Sequence, residues 1–390
     1  MFSELIKQIR TLYPGREAIS LHEPLFAGRE KEYTTQAIDS TFVSSVGAFV
    51  ERFEQDICAF TGADYAVATV TGTAALHAAL LAMGVRPEDE VLTQPLSFVA
   101  TANAINYCGA RPIFLDVERD TLGLSPAALE DFLTTHTICR DNTCYNRATQ
   151  RRIAACVPMH TFGHPVRIEE VVAICRRHHI AVVEDAAEAL GSKYRGRHCG
   201  TFGDLGIYSF NGNKTITCGG GGMVVGHDKK LTDRVRHLTT TAKIPHPWQY
   251  RHDQAGYNYR MPNLNAALGC AQLEMLPAFL ADKRELAAEY EKILVAVPAL
   301  EFIREPAEAR SNYWLNALLT SDREQRDRLL AACHKEKIFC RPAWDLLNTL
   351  PMYNDCQTDN LTTANWLADR LINLPSSVRQ LNRQRTPEAV

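Results

Sequence analysis

No run of apolar residues in this 390-residue chain approaches the roughly 18 that a membrane-spanning helix needs. An excess of charge is missing too. Lys and Arg number 42 against 45 Asp and Glu, a formal net charge of −3. That balance gives no electrostatic reason to expect nucleic acid or an anionic membrane as partner. The stretch from Met1 to Arg16 mixes charges with Leu5, Ile6, Ile9 and Leu12 at helical spacing. It has neither the apolar core nor the small-residue cleavage site of a secretory signal, so a cytoplasmic protein is expected. Internal repeats and low-complexity segments are absent from the sequence.

Metal-site spacing is also lacking. The twelve cysteines are scattered, and Cys58, Cys108, Cys156, Cys175 and Cys270 fall in apolar stretches. Small buried hydrophobes behave this way in a reducing compartment. Cys139 and Cys144 flank the polar turn Arg140-Asp141-Asn142-Thr143, but no second close pair completes a zinc knuckle. His160 and His164 are four apart, yet Gly163 and Pro165 argue for a loop rather than a helix face. No metal is expected, and His160 reads as part of a loop beside a strand-end site.

What the chain does have is alternation. Strands are expected at Tyr65–Val70, Glu90–Thr93, Pro112–Val117, Ile153–Met159, Ile180–Glu184, Gly206–Phe210 and Gly222–Val225, with helices such as Thr73–Met83 and Val166–His178 between them. This predicts an α/β fold with a mainly parallel sheet flanked by helices, and ligands beyond the C-terminal strand ends. After Pro262 a long helical pattern runs over 263–294, with Pro277 expected to bend or interrupt it. A strand (Tyr313–Leu319), a helix (Arg323–Lys335), a strand (Ile338–Arg341) and a last helix (Leu361–Leu371) then read as a smaller α+β domain. The expected division is a helical extension at 1–20, a large domain at 21–262 and a small domain at 263–390. Residues 136–152 read as a surface loop or hairpin.

Within this frame Lys214 carries the most information. The run Ala181-Val182-Val183-Glu184-Asp185 is a buried strand that delivers a carboxylate at its end. Downstream lie Ser209-Phe210-Asn211-Gly212-Asn213-Lys214 and Gly219–Gly222. A pyridoxal phosphate (PLP) site needs these parts. The Lys forms a Schiff base with the aldehyde, and the Asp keeps the pyridine nitrogen protonated. A P-loop is excluded, because Asn213 and Tyr208 stand where that motif needs glycine. The four glycines lead into a strand, so they are no dinucleotide fingerprint.

Each residue also has a plainer reading. Thr71-Gly72-Thr73 either binds a phosphate at a helix start or simply caps that helix. Phe98 stacks on a ring or packs in the core. Asp185 doubles as a helix N-cap, with Glu188 completing a capping box or sitting over the ring. Gly256 to Met261 is an ordinary turn or a polar loop that reaches a phosphate.

Taken together, the motifs resemble the DegT–DnrJ–StrS group of PLP-dependent nucleotide-sugar aminotransferases, which have the type I aminotransferase fold. The likeness runs from about Leu21 onward. It rests on Thr71 to Leu76, Glu184 to Gly191, Gly203-Asp204 through Ser209-Phe210 to Lys214, Gly219–Gly222, and Gly256 to Met261. It implies that Lys214 holds the cofactor covalently and Asp185 pairs with the pyridine nitrogen. Phe98 and Ala187–Glu188 would hold the ring faces, and Gly72, Thr73 and Ser209 the phosphate. Asn258 would reach the phosphate from the partner subunit of a homodimer with shared active sites. Many relatives carry Gln or His where this chain has Glu188.

The finer likeness is to the LegC-type subgroup, through His22-Glu23-Pro24, Ser40 to Gly47, Met159 to Pro165, Lys243 to Trp248 and Ser311 to Asn316. It implies transfer of an amino group from L-glutamate to C4 of a nucleotide-linked 4-keto-6-deoxy-N-acetylhexosamine, for legionaminic-acid or bacillosamine-type glycans. His160, Tyr313, Arg341 and Trp344 are the candidates for gripping that substrate. A PLP-dependent sugar dehydratase is the alternative within the scaffold, but such relatives replace the Lys with His. A non-catalytic PLP- or sugar-binding regulator is the alternative outside enzymes.

Overall fold

A computed structural model describes residues 2–379. Its main sheet has seven strands: β1 (Tyr65–Thr69), β2 (Glu90–Thr93), β3 (Arg111–Phe114), β4 (Ile153–Val157), β5 (Ala181–Asp185), β6 (Leu205–Ser209) and β7 (Gly222–Gly226). Their spatial order is β1-β7-β6-β5-β4-β2-β3. The pairs from β6 to β3 are parallel, and β7 runs antiparallel between β1 and β6. Strands β2, β4, β5 and β6 are buried along almost their whole length, as strands covered on both faces must be. The C-terminal ends of β1, β4, β5 and β6 therefore lie along one edge of the sheet.

Every expected strand of this sheet is present, shifted by up to three residues. Two further helices, Glu30–Asp39 and Ala48–Thr61, pack on the long helix Asn263–Val295. That helix runs unbroken through Pro277. By length and composition it is apolar enough to cross a membrane. Its apolar residues serve the core instead. Ala266, Cys270, Leu276 and Phe279 pack with Phe53 and Phe210. Leu286, Tyr290 and Leu294 pack with the first helix, Phe2–Leu12, through Leu5, Ile6 and Ile9.

A second sheet joins Glu301–Phe302, Asn316–Leu319, Leu371–Leu374 and Arg341–Pro342, all antiparallel. Two expectations change here. The strand expected at Ile338–Arg341 is only Arg341–Pro342, and the last helix ends at Ala368, before the strand Leu371–Leu374. The four residues Leu371-Ile372-Asn373-Leu374 are too few for a period that separates strand from helix end. The helix Arg323–Lys335 falls where expected, and the Asp322 carboxylate caps it by accepting the Gln325 amide at 2.8 Å. Residues 137–146 form a hairpin.

Candidate active site

A cavity of about 300 Å³ opens at the shared C-terminal strand edge. Gly72, Thr73, Phe98, Asp185, Glu188, Ser209, Lys214 and Trp344 all line it. Residues far apart in the chain meet there because three strand ends and one helix start converge on it.

The helix Gly72–Ala82 begins at the wall, capped by the Thr71 hydroxyl, which accepts the Ala74 amide at 3.0 Å. The first-turn amides of a helix have no carbonyl of their own to meet, so they favour an anion. A Cβ at position 72 would lie 2.8 Å from Ser209 Cβ and 3.0 Å from its Oγ. Only glycine lets the Ser209 hydroxyl stand beside that helix start.

Asp185 ends β5 and is 4% exposed. Its Oδ2 accepts the Thr101 hydroxyl at 2.7 Å, and its Oδ1 accepts the Ala187 amide at 3.2 Å. Burial raises its carboxyl above the usual range, and those two bonds pull it back. A buried carboxylate beside a cavity, held by neutral donors, is suited to a cationic partner.

Lys214 projects Nζ to 3.1 Å from Glu188 Oε1 and 4.0 Å from the centroid of the Trp314 ring. Glu188 is fully inside, its Oε2 accepting the Phe162 amide at 2.9 Å. Burial pushes its carboxyl up to about 7, against the pull of Lys214 and the Phe162 amide. Trp314 is fixed by its indole N–H, which donates to the Asn213 carbonyl at 2.7 Å.

Four expected residues lie outside this cavity. His160 is fully buried beneath it. Its Nδ1 accepts the Val166 amide at 3.1 Å, so its proton sits on Nε2, 3.0 Å from the Glu184 carboxylate. Glu184 also accepts the amides of Gly200, Phe202 and Gly203. His160 thus braces a strand end and has no open face for a substrate. Tyr313 is buried against Phe302 in the C-terminal core, its hydroxyl accepting the Glu305 amide at 3.0 Å. It too is withdrawn from the substrate set. Arg341 is exposed and lines an adjoining cavity of about 470 Å³, whose wall of Asn213, Trp314 and Trp344 is shared with the first. Asn258 is exposed on the surface and pairs with Thr240.

Thr101, Trp314, Asn211 and Asn213 belong to the cavity and were not singled out from the sequence. Trp314 lies within the motif Ser311–Asn316, which was a usable signal. Thr101 meets Asp185 across 84 residues of chain, and no local pattern encodes such a meeting.

PLP fits this set of residues. An anion site at a helix start with a glycine-made cradle, a buried acid and a lysine amine share one cavity. Fold and site together define a PLP enzyme of the type I aminotransferase fold. The chain matches the DegT/DnrJ/EryC1/StrS aminotransferase family over residues 25–385, and it belongs to that family. It is 39% identical to a GDP-perosamine synthase of Escherichia coli O157:H7 over 366 residues, 94% of this chain and 95% of that one. It is 34% identical to a GDP-perosamine synthase of Caulobacter vibrioides, covering 92% and 93% of the two chains. Among solved structures, the aminotransferase TlmJ of Streptoalloteichus hindustanus superposes with a TM-score of 0.83 at 27% identity, covering 92% of this chain and 93% of that one. The protein is a PLP-dependent nucleotide-sugar aminotransferase.

Proposed function

We propose that the protein moves an amino group from L-glutamate to C4 of a nucleotide-linked 4-keto-6-deoxy-N-acetylhexosamine, in the cytoplasm and as a homodimer. The observation that carries this reading is the convergence of Lys214, Asp185 and the Gly72–Ser209 cradle on one cavity. The choice of sugar rests on the LegC-type motifs. Similarity to the two GDP-perosamine synthases favours a second reading, in which the acceptor is a GDP-linked keto sugar.

Bound PLP supplies an electron sink and a carrier for the amino group. The chain's own residues do the rest. Lys214 Nζ anchors the cofactor and, once released, moves a proton at the donor Cα. Such general acid–base work is worth roughly 10²–10⁴-fold. Asp185 holds the proton on the ring nitrogen. Gly72, Thr73 and Ser209 bind the phosphate, and Phe98 and Glu188 bound the ring. Asn258 reaches the partner subunit's phosphate. Trp344 and Arg341 line the path to the second cavity, where a guanidinium is suited to a diphosphate.

Incubation with L-glutamate and a panel of UDP- and GDP-linked 4-keto sugars, followed by NMR of the products, tests both readings. A new amine on C4 of the N-acetylated sugar is the expected result. Amination of only the GDP-linked, non-acetylated sugar selects the second reading. No amination of any 4-keto sugar ends both.

A further inference from the structure

The hairpin at 137–146 carries a cluster that amino transfer leaves unused. Its strands, Thr137–Arg140 and Thr143–Asn146, set Cys139 directly opposite Cys144. The turn residues Asp141 and Asn142 have φ of 47° and 58°. Two left-handed residues form the tight turn whose twist matches the flanking strands, and Asp and Asn tolerate it well. The register is thereby fixed, and opposed residues share one face of the ladder. His178 stands at the C-terminus of the helix Ile168–Arg177. One ligand atom from each of Cys139, Cys144 and His178 lies within 4.8 Å of the others.

We propose that Cys139, Cys144 and His178 form a binding site for a thiophilic cation of the zinc class. Two sulfurs and one imidazole nitrogen are the ligands such an ion selects. Around tetrahedral zinc these atoms stand roughly 3.5–3.8 Å apart, so a shift of about 1 Å closes the cluster. Cys139 is exposed and free to make it, while Cys144 is buried and His178 half-buried. The end of the helix adds a second attraction. Its last carbonyls carry partial negative charge, which favours a cation, and Cys139 Sγ already lies 3.9 Å from the His178 carbonyl oxygen.

Both thiols release their protons to solvent when the cation binds. None of the three residues lines the Lys214 cavity. The ion would pin the hairpin to the helix end without touching the chemistry. Spacing along the chain hid the site, because the third ligand comes from a separate helix.

The test uses reduced, metal-free holoenzyme titrated with Co²⁺. One Co²⁺ per chain should bind, with the visible d–d bands of a tetrahedral thiolate complex, and Zn²⁺ should displace it. Cys139→Ser and His178→Ala, neither at a fully buried side chain, should each weaken binding by at least about tenfold and leave transamination unchanged. Three results would overturn the site: no saturation at one equivalent, bands that persist in both variants, or a Cys139–Cys144 disulfide in freshly isolated protein.

Discussion

Lys214 and Glu188 share a hydrogen bond of 3.1 Å inside the cavity, and two predictions belong to that pair. Lys214→Ala removes both the anchor and the proton carrier. Turnover should fall by at least about 10²–10⁴-fold in a glutamate half-reaction followed at single turnover. Glu188 is held near 7 by burial. Below that pH it is a neutral acid, and above it a carboxylate that grips the Lys214 amine. In cofactor-free protein, trinitrobenzenesulfonate labelling of Lys214 should therefore be faster in Glu188→Gln than in the wild type. The ratio of the two rates should climb as pH passes 7. A ratio independent of pH would remove Glu188 from contact with the amine.

Among the elements, the join between β1 and the helix Gly72–Ala82 bears most on cofactor binding. Gly72→Ala sets a methyl 2.8 Å from Ser209 Cβ, so the helix start or Ser209 must move. Cofactor affinity should fall at least about tenfold, read by fluorescence titration of the apo form, with little change in helix content. Elements also show how far the sequence could be read. The parallel strands were legible because burial on both faces makes them continuous apolar runs. The antiparallel course of β7 was not, because a buried run of Gly222 to Gly226 has no direction written in its composition. Pro277 misled in a different way. Its ring and missing N–H disturb only one turn, and burial on both sides, through Leu276 and Phe279, keeps the helix going. Lys214, Asp185 and Gly72 were legible since each carries a local motif. Thr101 and the true places of His160 and Tyr313 were not, because burial is a property of the assembled chain.

At the scale of the whole molecule, the loop 160–165 meets the segment 311–316 in a buried seam. Ser192 and Ser311 hydroxyls both donate to the Gly163 carbonyl, and the Leu315 amide donates to Phe162. His164 is buried in this seam, edge-on to Tyr313, and neither ring nitrogen has a hydrogen-bond partner among the described residues. Burial lowers its imidazole to about 4. The unfolded chain takes up a proton below about 6.5 and the folded chain does not, so stability is lost as pH falls from about 6.5 to about 4. The loss amounts to roughly 3 kcal/mol. Glu188 acts with the opposite sign, because its raised carboxyl holds a proton in the fold that the unfolded chain gives up. The contribution of His164 is therefore read as a difference. Urea unfolding of His164→Phe should lose less stability than the wild type between pH 6.5 and pH 4. Parallel profiles for the two proteins would place the acid sensitivity elsewhere.

Catalysis depends on where the coenzyme is attached. Purified protein should show a visible absorption band that borohydride abolishes, and digestion followed by mass spectrometry should then find the pyridoxyl group on the peptide containing Lys214. Recovery of that group on another lysine, or an unmodified Lys214 peptide from fully reduced protein, would contradict the account.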